Sequence, residues 1–228
     1  MKKHTIILFL ISIVIFTGCT ASKTTLAKVN KQNLSTHALI IGTFSRNLGT
    51  SYLGHNSFEI VDLNHKLVKS VFDNAKDNMS LGGNPYEYNN DFIYKDTQGS
   101  IFAVLIPEGN YYLHKFSAGK GSGKYVGKFN KKIDVKRDDV LYVGDFNFKP
   151  IREKLENHPF FKNKKVTVGA TVTIKNSLNR DYAVLKKHLG NDFLKKDEIK
   201  LSVINEEFNL IKFTSDVNPM LFLPVIIY

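Results

Sequence analysis

Residues 101–113 read IFAVLIPEGNYYL and decide the predicted fold. The unbroken apolar run from Ile101 to Ile106 is typical of a strand that is covered on both faces. The next residues, Pro107 to Asn110, have the proline, glycine and asparagine chemistry of a turn, and a returning strand is predicted from Tyr111 to Phe116. The stretch therefore predicts a central β-hairpin.

Strand patterns continue on both sides of this hairpin. A second hairpin is predicted from Lys131 to Phe148, around a polar turn at residues 136–139. Its second arm alternates, which predicts that five residues share one face: Val140, Tyr142, Gly144, Phe146 and Phe148. Further strands are predicted at residues 38–44, 57–63, 67–72, 92–95 and 166–174.

Two short helices are also predicted. Pro150 to Asn157 has proline in its first turn and stops before another proline. Asn179 to Leu189 has an asparagine N-cap, an acidic first turn and Gly190 behind it. Many short strands with one or two short helices predict a mainly β fold, an antiparallel β-sandwich. The buried stripe of the later helix is predicted to hold Tyr182, Leu185 and Leu189.

The N-terminus predicts an export signal at residues 1–18. A basic start at Lys2 and Lys3 precedes an apolar run that is shorter than the ~20 residues of a spanning helix. The last four residues, Phe16 to Cys19, resemble the lipobox of bacterial lipoproteins. That resemblance implies a diacylglyceryl group on the Cys19 thiol and cleavage just before it.

An ordinary signal peptide with a chance cysteine is the alternative. Cys19 is the only cysteine in the chain, so an exported protein could form no internal disulfide with it. Lipidation would remove this unpaired thiol, which favours the lipoprotein interpretation.

The predicted organisation is a signal peptide at residues 1–18, a flexible tether at 19–35 and a β-sandwich domain at 36–228. The membrane partner is reached through the lipid on Cys19. Thr20 is not the aspartate that retains such proteins in the inner membrane. In a Gram-negative host the domain is therefore expected at the outer membrane, facing the periplasm.

Composition argues against nucleic-acid binding. The formal charge is +11, but only four of the 32 basic residues are arginine. Lysine lacks the bidentate fork that reads bases and phosphates, so a lysine-rich surface is a poor nucleic-acid interface. The expected partners are instead the membrane and an envelope protein or glycan.

Three stretches resemble a known class of domain. Residues 101–113 resemble the apolar strand and Leu-Pro-x-Gly-x-Tyr turn of prealbumin-like modules, which include carboxypeptidase regulatory-like domains and many bacterial lipoproteins. Residues 139–146 resemble the strand that follows, and residues 181–189 resemble their late helix. The resemblance implies a β-sandwich. The chain departs from it at residues 137–139, Arg-Asp-Asp, where the family usually has Pro-Gly.

One glycine-rich segment is close to a phosphate-binding loop. Residues 118–124 read AGKGSGK, but Tyr125 stands where the Ser or Thr that holds Mg²⁺ is required. The residues that follow alternate as in a strand, whereas a P-loop leads into a helix. The segment is therefore predicted to be a glycine-rich loop between two strands.

No catalytic, metal or cofactor-binding residue is predicted. The chain has no Gly-x-Ser-x-Gly motif, and its histidines form no i, i+4 pair. The acidic pairs Asp138-Asp139 and Glu206-Glu207 are adjacent, so within a strand they would face opposite sides.

The leading hypothesis is a non-enzymatic structural or adaptor module. An enzyme whose site is assembled from distant residues is the last alternative. The apolar end of the chain, residues 220–228, is predicted to be a last strand of the sandwich, and the alternative is a partner-binding or membrane-contacting tail. The rival is a glycan- or peptide-binding module whose surface is formed by Tyr86, Tyr88, Tyr111, Tyr112 and Tyr125.

Overall fold

The computed structural model describes part of the chain. The described residues are 34–48, 55–73, 90–119, 124–154, 165–190 and 194–212, with the backbone alone at 75–77 and 86–88. Cys19, most of the predicted tether and the apolar C-terminal segment lie outside the described residues. Within the described part, no helix has the length and apolar character needed to span a membrane.

The described elements are predominantly strands. In chain order they are β1 (His37–Asn47), β2 (Asn56–Asp62), β3 (Leu67–Phe72), β4 (Ala75–Asp77), β5 (Tyr86–Tyr88), β6 (Phe92–Tyr94), β7 (Thr97–Pro107), β8 (Gly109–Ala118), β9 (Tyr125–Val135), β10 (Val140–Lys154), β11 (Lys165–Lys175), helix α1 (Leu178–Leu189), a 3-10 helix (Lys196–Glu198), β12 (Ile199–Leu201) and β13 (Glu206–Lys212).

Eleven of these strands form one sheet. Its order is β3-β2-β8-β9-β13-β11-β10-β1-β7-β6, with β12 paired to β10 off this path. Most neighbours are antiparallel, but β10 runs parallel to both β1 and β12. The predicted mainly β fold is confirmed, whereas the sheet is mixed rather than purely antiparallel.

Both predicted hairpins form strands, but their arms do not pair. β7 pairs with β1 and β6, while β8 pairs with β2 and β9. Glu108 therefore connects two strands that are far apart in the sheet order. At this connection the Tyr111 hydroxyl donates to the Pro107 carbonyl at 3.0 Å. Likewise β9 and β10 have separate partners. Turn residues specify a change of direction and not the partner of the strand that follows.

Strands far apart in this order enclose a common aromatic core. Phe58 on β2 and Phe116 on β8 lie 4.8 and 5.5 Å from the ring of Phe146 on β10. The same Phe146 ring is 5.9 Å from Phe44 on β1 and 5.8 Å from Phe102 on β7. The sheet thus curves so that one face of β2 and β8 packs on β1, β7 and β10.

A β-bulge interrupts the predicted alternation of β10. Ile41 on β1 is opposite Tyr142, but the next residue of β1, Gly42, is opposite Gly144. Val143 is therefore the additional residue that a bulge inserts into one strand. A Cβ at Gly42 would lie 2.5 Å from the Gly144 carbonyl oxygen, so a larger residue would clash with backbone here.

The bulge divides the five residues that were predicted to share one face. Val140 and Tyr142 belong to one buried cluster, whereas Phe146 and Phe148 belong to the other. The prediction of a single face is wrong, because an inserted residue reverses the side-chain direction beyond it.

The later predicted helix is confirmed. α1 spans Leu178–Leu189, with Ser177 rather than Asn179 as its N-cap and Gly190 after its last turn. Its buried residues are Leu178, Asp181 and Leu185, which differ in part from the predicted stripe. The helix covers the face of the sheet that carries Leu39, Ile41, Ala103 and Tyr142.

The predicted helix at residues 150–157 is wrong over its described part. Residues Pro150 to Lys154 continue β10 and pair with β11. Pairing between β10 and β1 ends at Asn147, so only one side of the strand carries a ladder at Pro150. Proline lacks a backbone N–H and is tolerated in a strand at such an edge.

Candidate functional site

Five side chains form a buried charged cluster beneath the start of α1. They are Thr43 from β1, Tyr142 and Asp145 from β10, and Arg180 and Asp181 from α1. Both carboxylates are 0% exposed, and Arg180 is 12% exposed. The bulge at residue 143 brings the two β10 side chains together, because regular alternation would place residues 142 and 145 on opposite faces.

Arg180 bridges the two carboxylates. Its Nε donates to Asp181 Oδ1 at 2.6 Å, and its Nη2 lies 3.0 Å from Asp145 Oδ2. The guanidinium also lies 4.6 Å from the centroid of the Phe92 ring, a cation–π arrangement. Burial lowers the pKa of Arg180, but the charges of Asp145 and Asp181 outweigh burial and raise it, so the group stays cationic.

The cluster contains more close oxygen–oxygen contacts than the hydroxyl protons of Thr43 and Tyr142 can bridge. Thr43 Oγ1 lies 3.0 Å from Asp145 Oδ1 and 2.9 Å from Asp181 Oδ2, yet a hydroxyl has one proton to donate. The Tyr142 hydroxyl donates to the same Asp181 Oδ2 at 2.5 Å. A proton on Asp181 would donate to Thr43 and free the Thr43 hydroxyl for Asp145, which would satisfy every contact.

Electrostatics raise the pKa of Asp181, so this group holds its proton to higher pH than an ordinary carboxyl group does. Burial raises the pKa of Asp181 above its ordinary value, and the nearby charge of Asp145 adds to this, although the bonds from Arg180 and Tyr142 oppose it. Burial, together with the charge of Asp181, also raises the pKa of Tyr142, which keeps its hydroxyl a donor. Two buried carboxylates beside one arginine leave a net negative charge, and a single proton removes it.

We expect this arrangement to give the protein a defined pH dependence. The unfolded chain loses the Asp181 proton near the ordinary value of 3.8, whereas the folded chain keeps it to higher pH. The folded state therefore binds more protons in that window, and stability falls as pH rises from 3.8 toward the raised pKa of Asp181.

The measurement is urea unfolding over a pH series for wild type and Asp181→Asn. Asparagine does not titrate, so the advantage of wild type should be largest at low pH and should shrink as pH rises. Asp138→Asn, on an exposed turn, is the control for replacing a carboxyl group by an amide. Parallel profiles for wild type and Asp181→Asn would show that Asp181 does not hold the proton.

The cluster is arranged to fasten α1 to the sheet. The backbone N–H of Ser177 donates to Tyr142 Oη at 3.3 Å, and Ser177 Oγ donates to Asp145 Oδ2 at the same distance. The described contacts of Asp145 and Asp181 all run to other residues at this junction between β1, β10 and α1. These bonds form one polar network that joins the start of α1 to β1 and β10.

A cleft of about 920 Å³ opens beside the cluster. Its walls are the β6–β7 hairpin, the start of α1 and the segment that contains β12. Three exposed apolar side chains line it: Ile93 at 67%, Tyr94 at 51% and Leu201 at 56%. Its charged lining residues are Lys95, Asp96, Lys175, Arg180 and Lys196.

Two of the five tyrosines of the predicted binding surface are not exposed. Tyr111 and Tyr125 are buried, and their hydroxyls donate to the carbonyls of Pro107 and Thr167. Burial raises the pKa of both phenols. Tyr112 stacks on His65 at 5.6 Å, and the side chains of Tyr86 and Tyr88 lie outside the described residues.

The glycine-rich segment is flanked by strands, as predicted. β8 ends at Ala118 and β9 begins at Tyr125, and these two residues pair with each other. Residues 120–123 lie outside the described residues. A phosphate-binding loop must lead into a helix, so a strand from Tyr125 argues against that motif.

Two histidines that are distant in sequence lie close together. The rings of His65 and His114 are 5.7 Å apart, and His114 Nδ1 is 2.6 Å from Asn130 Oδ1. Over the described residues, no group of three or more His, Cys, Asp or Glu side chains is placed to hold a metal ion. Cys19, the predicted lipidation site, lies outside them.

Comparisons with protein-family models, curated proteins and solved structures found no match to this chain.

Sequence reasoning did not identify the buried charged cluster. The available signal was Asp145, an acidic residue inside the apolar run LYVGDF at residues 141–146. Aspartate is rarely fully buried unless it is paired, so such a position indicates a buried partner. Arg180, one of only four arginines, was the partner to consider.

Proposed function

We propose that the chain is a lipid-anchored, non-enzymatic adaptor of the bacterial cell envelope. The anchor is Cys19, and support for it comes from the signal-like residues 1–18 and the lipobox-like residues 16–19. Thr20 supports delivery to the outer membrane in a Gram-negative host, with the domain facing the periplasm.

The folded part is proposed to be a prealbumin-like β-sandwich. Support comes from residues 101–113, which resemble that class, and from the core that Phe58 and Phe116 share with Phe146. A sandwich is defined by two layers of strands that pack face to face over an apolar core.

The cleft carries the adaptor proposal. Its exposed Ile93, Tyr94 and Leu201 form an apolar surface with lysines around it, which is the composition of a docking site. The neighbouring carboxyl groups, Asp145 and Asp181, are already bonded to Thr43 and Arg180, which supports a non-enzymatic role.

A binding module for a glycan or a peptide is the second candidate. Phe92 and Tyr94 both line the cleft, and aromatic side chains are common contacts for either ligand. This candidate differs from the adaptor only in what occupies the cleft.

Replacing Cys19 with alanine is expected to abolish metabolic palmitate labelling, because the acylated thiol is removed. The variant should also leave the membrane fraction on carbonate washing, since a signal without its lipid provides no stable anchor. Thr20→Ala is the matched control and should keep both its label and its membrane association. Labelling that persists in Cys19→Ala would contradict the anchor.

The adaptor function itself is tested by cross-linking in intact envelopes, followed by capture of the lipidated protein. We expect one or more defined proteins to be captured with wild type and lost when Cys19→Ala releases the chain. Capture of no protein at any cross-linker length would contradict the adaptor function.

A further inference from the structure

We propose that the cleft binds an acidic, extended peptide segment of a partner protein. This inference rests on the adaptor function proposed above and names the chemistry of the partner. Three features support it: the charge of the cleft, the aliphatic character of its walls and the edge of β6 that no described strand pairs with.

The charge of the cleft selects for an acidic ligand. Lys95, Lys175 and Lys196 line it against a single exposed carboxylate, Asp96. Arg180 also lines the cleft, but its charge is already matched by Asp145 and Asp181. The three lysines therefore provide the attraction, which would steer acidic side chains to the rim.

The apolar walls favour peptide over sugar. Ile93 and Leu201 are aliphatic side chains more than half exposed, and aliphatic walls suit the side chains of a peptide. A sugar ring stacks best on a free aromatic face, but Phe92 is 7% exposed and carries the Arg180 guanidinium on its ring. Tyr94 remains as a single aromatic wall.

One edge of β6 has no partner among the described strands and could take an added strand. β6 and β7 are joined by the two-residue turn Lys95-Asp96, with Tyr94 opposite Thr97. The pair that flanks such a turn is hydrogen-bonded, so the N–H and C=O of Ile93 point away from β7. Among the described strands, β7 is the one that pairs with β6, and a peptide could add along its other edge.

The test uses full-length lipidated protein in neutral detergent micelles. The probe is a fluorescein-labelled peptide that alternates glutamate and valine, and its binding is followed by fluorescence anisotropy. A peptide that alternates lysine and valine is the charge control. We expect the acidic peptide to bind with a salt-dependent affinity and the basic peptide not to bind.

Charge variants locate the site. Lys95→Glu combined with Lys196→Glu is expected to weaken binding by about tenfold or more, because two attractive contacts become repulsive. Lys128→Glu combined with Lys132→Glu makes the same charge change at exposed positions on β9 and should leave affinity within about twofold. Equal losses in the two double variants would overturn the site, because they would show attraction to the whole basic surface.

Apolar variants separate docking from charge attraction. Ile93→Ser with Leu201→Ser should weaken binding by about tenfold, since two apolar contacts are lost. Ile211→Ser, on β13 and 72% exposed, is the control and should bind as wild type does. Unchanged affinity in the Ile93 and Leu201 variant would overturn the peptide assignment.

Two further outcomes distinguish this inference from the adaptor function. Stronger binding of oligogalacturonate, an acidic glycan, than of the acidic peptide would overturn the peptide in favour of a glycan. If cross-linked partners are still captured by the Lys95 and Lys196 variant in envelopes, the adaptor function stands and the cleft is not its site. Capture that fails even with wild type would contradict the adaptor function alone, because the peptide measurement does not depend on it.

Discussion

Replacing Arg180 with methionine is expected to lower the free energy of unfolding by about 3–5 kcal/mol. Methionine keeps much of the side-chain volume but removes the charge that bridges Asp145 and Asp181. Both carboxyl groups are 0% exposed, so Asp145 and Asp181 would stay buried without the cation that lies 3.0 and 2.6 Å from them. Uncompensated buried charge is among the few causes of a loss this large from one substitution.

The matched control is Arg137→Met, which removes the same group from an exposed ion pair. Arg137 Nε lies 2.7 Å from Glu108 Oε2, but the two side chains are 65% and 49% exposed. Water and salt screen such a pair, so the expected loss is less than about 1 kcal/mol. Urea unfolding of the full-length protein, followed by far-ultraviolet circular dichroism, measures both variants.

A triple variant tests the cause of the loss. Adding Asp145→Asn and Asp181→Asn to Arg180→Met removes the guanidinium and both carboxyl groups and should recover much of the lost stability, because no buried charge is left unpaired. Equal losses for Arg180→Met and Arg137→Met would contradict the network, and so would a triple variant less stable than the single one.

The local part of the fold could be predicted from sequence, but the pairing of its strands could not. Apolar runs and alternation predicted β1, β7 and β11, and the cap and glycine signals predicted α1 to within one residue at its start. The partners of β7 and β8 depend on contacts between residues far apart in the chain. Apolar patterns record only that a strand is covered, not which strand covers it.

The site depends on one residue that alternation does not reveal. Regular alternation from Tyr142 would place Asp145 on the opposite face of the sheet, where it could not contact Asp181. The bulge at Val143 reverses this, and its sequence signal is the glycine at position 144, opposite Gly42. An isolated glycine inside a strand pattern often marks a bulge, so the deviation could have been suspected but not placed.

The cleft could not be predicted from the sequence, for a different reason. Its walls come from residues 92–97, 175–184 and 196–201, three segments that are separated in sequence and joined by the sheet. Each segment taken alone reads as a turn, a helix start or a loop with a solvated lysine. The charge and apolar character of the cleft arise only when β6 and β12 lie on either side of α1.

Replacing Phe146 with alanine is expected to lower the free energy of unfolding by about 3–5 kcal/mol, the range for truncating a buried phenylalanine. Phe146 is 0% exposed, and its ring stacks on that of Phe58 at 4.8 Å with an interplanar angle of 8°. The Phe146 ring also lies 5.5 Å from that of Phe116 on β8, the strand paired with β2, and 5.9 Å from that of Phe44 on β1, the strand paired with β10. Truncation would therefore leave a cavity where β2 and β8 pack on β10.

Two variants make this expectation specific to the shared core. Phe146→Leu keeps most of the volume and should cost about 1.5 kcal/mol or less. Phe208→Ala truncates a half-buried ring at the side of the same core, near Phe129 and Phe116, and should cost clearly less than Phe146→Ala. A Phe146→Ala loss below about 1 kcal/mol would contradict a core common to β2, β8 and β10, because a tightly packed buried ring cannot be removed at so small a cost.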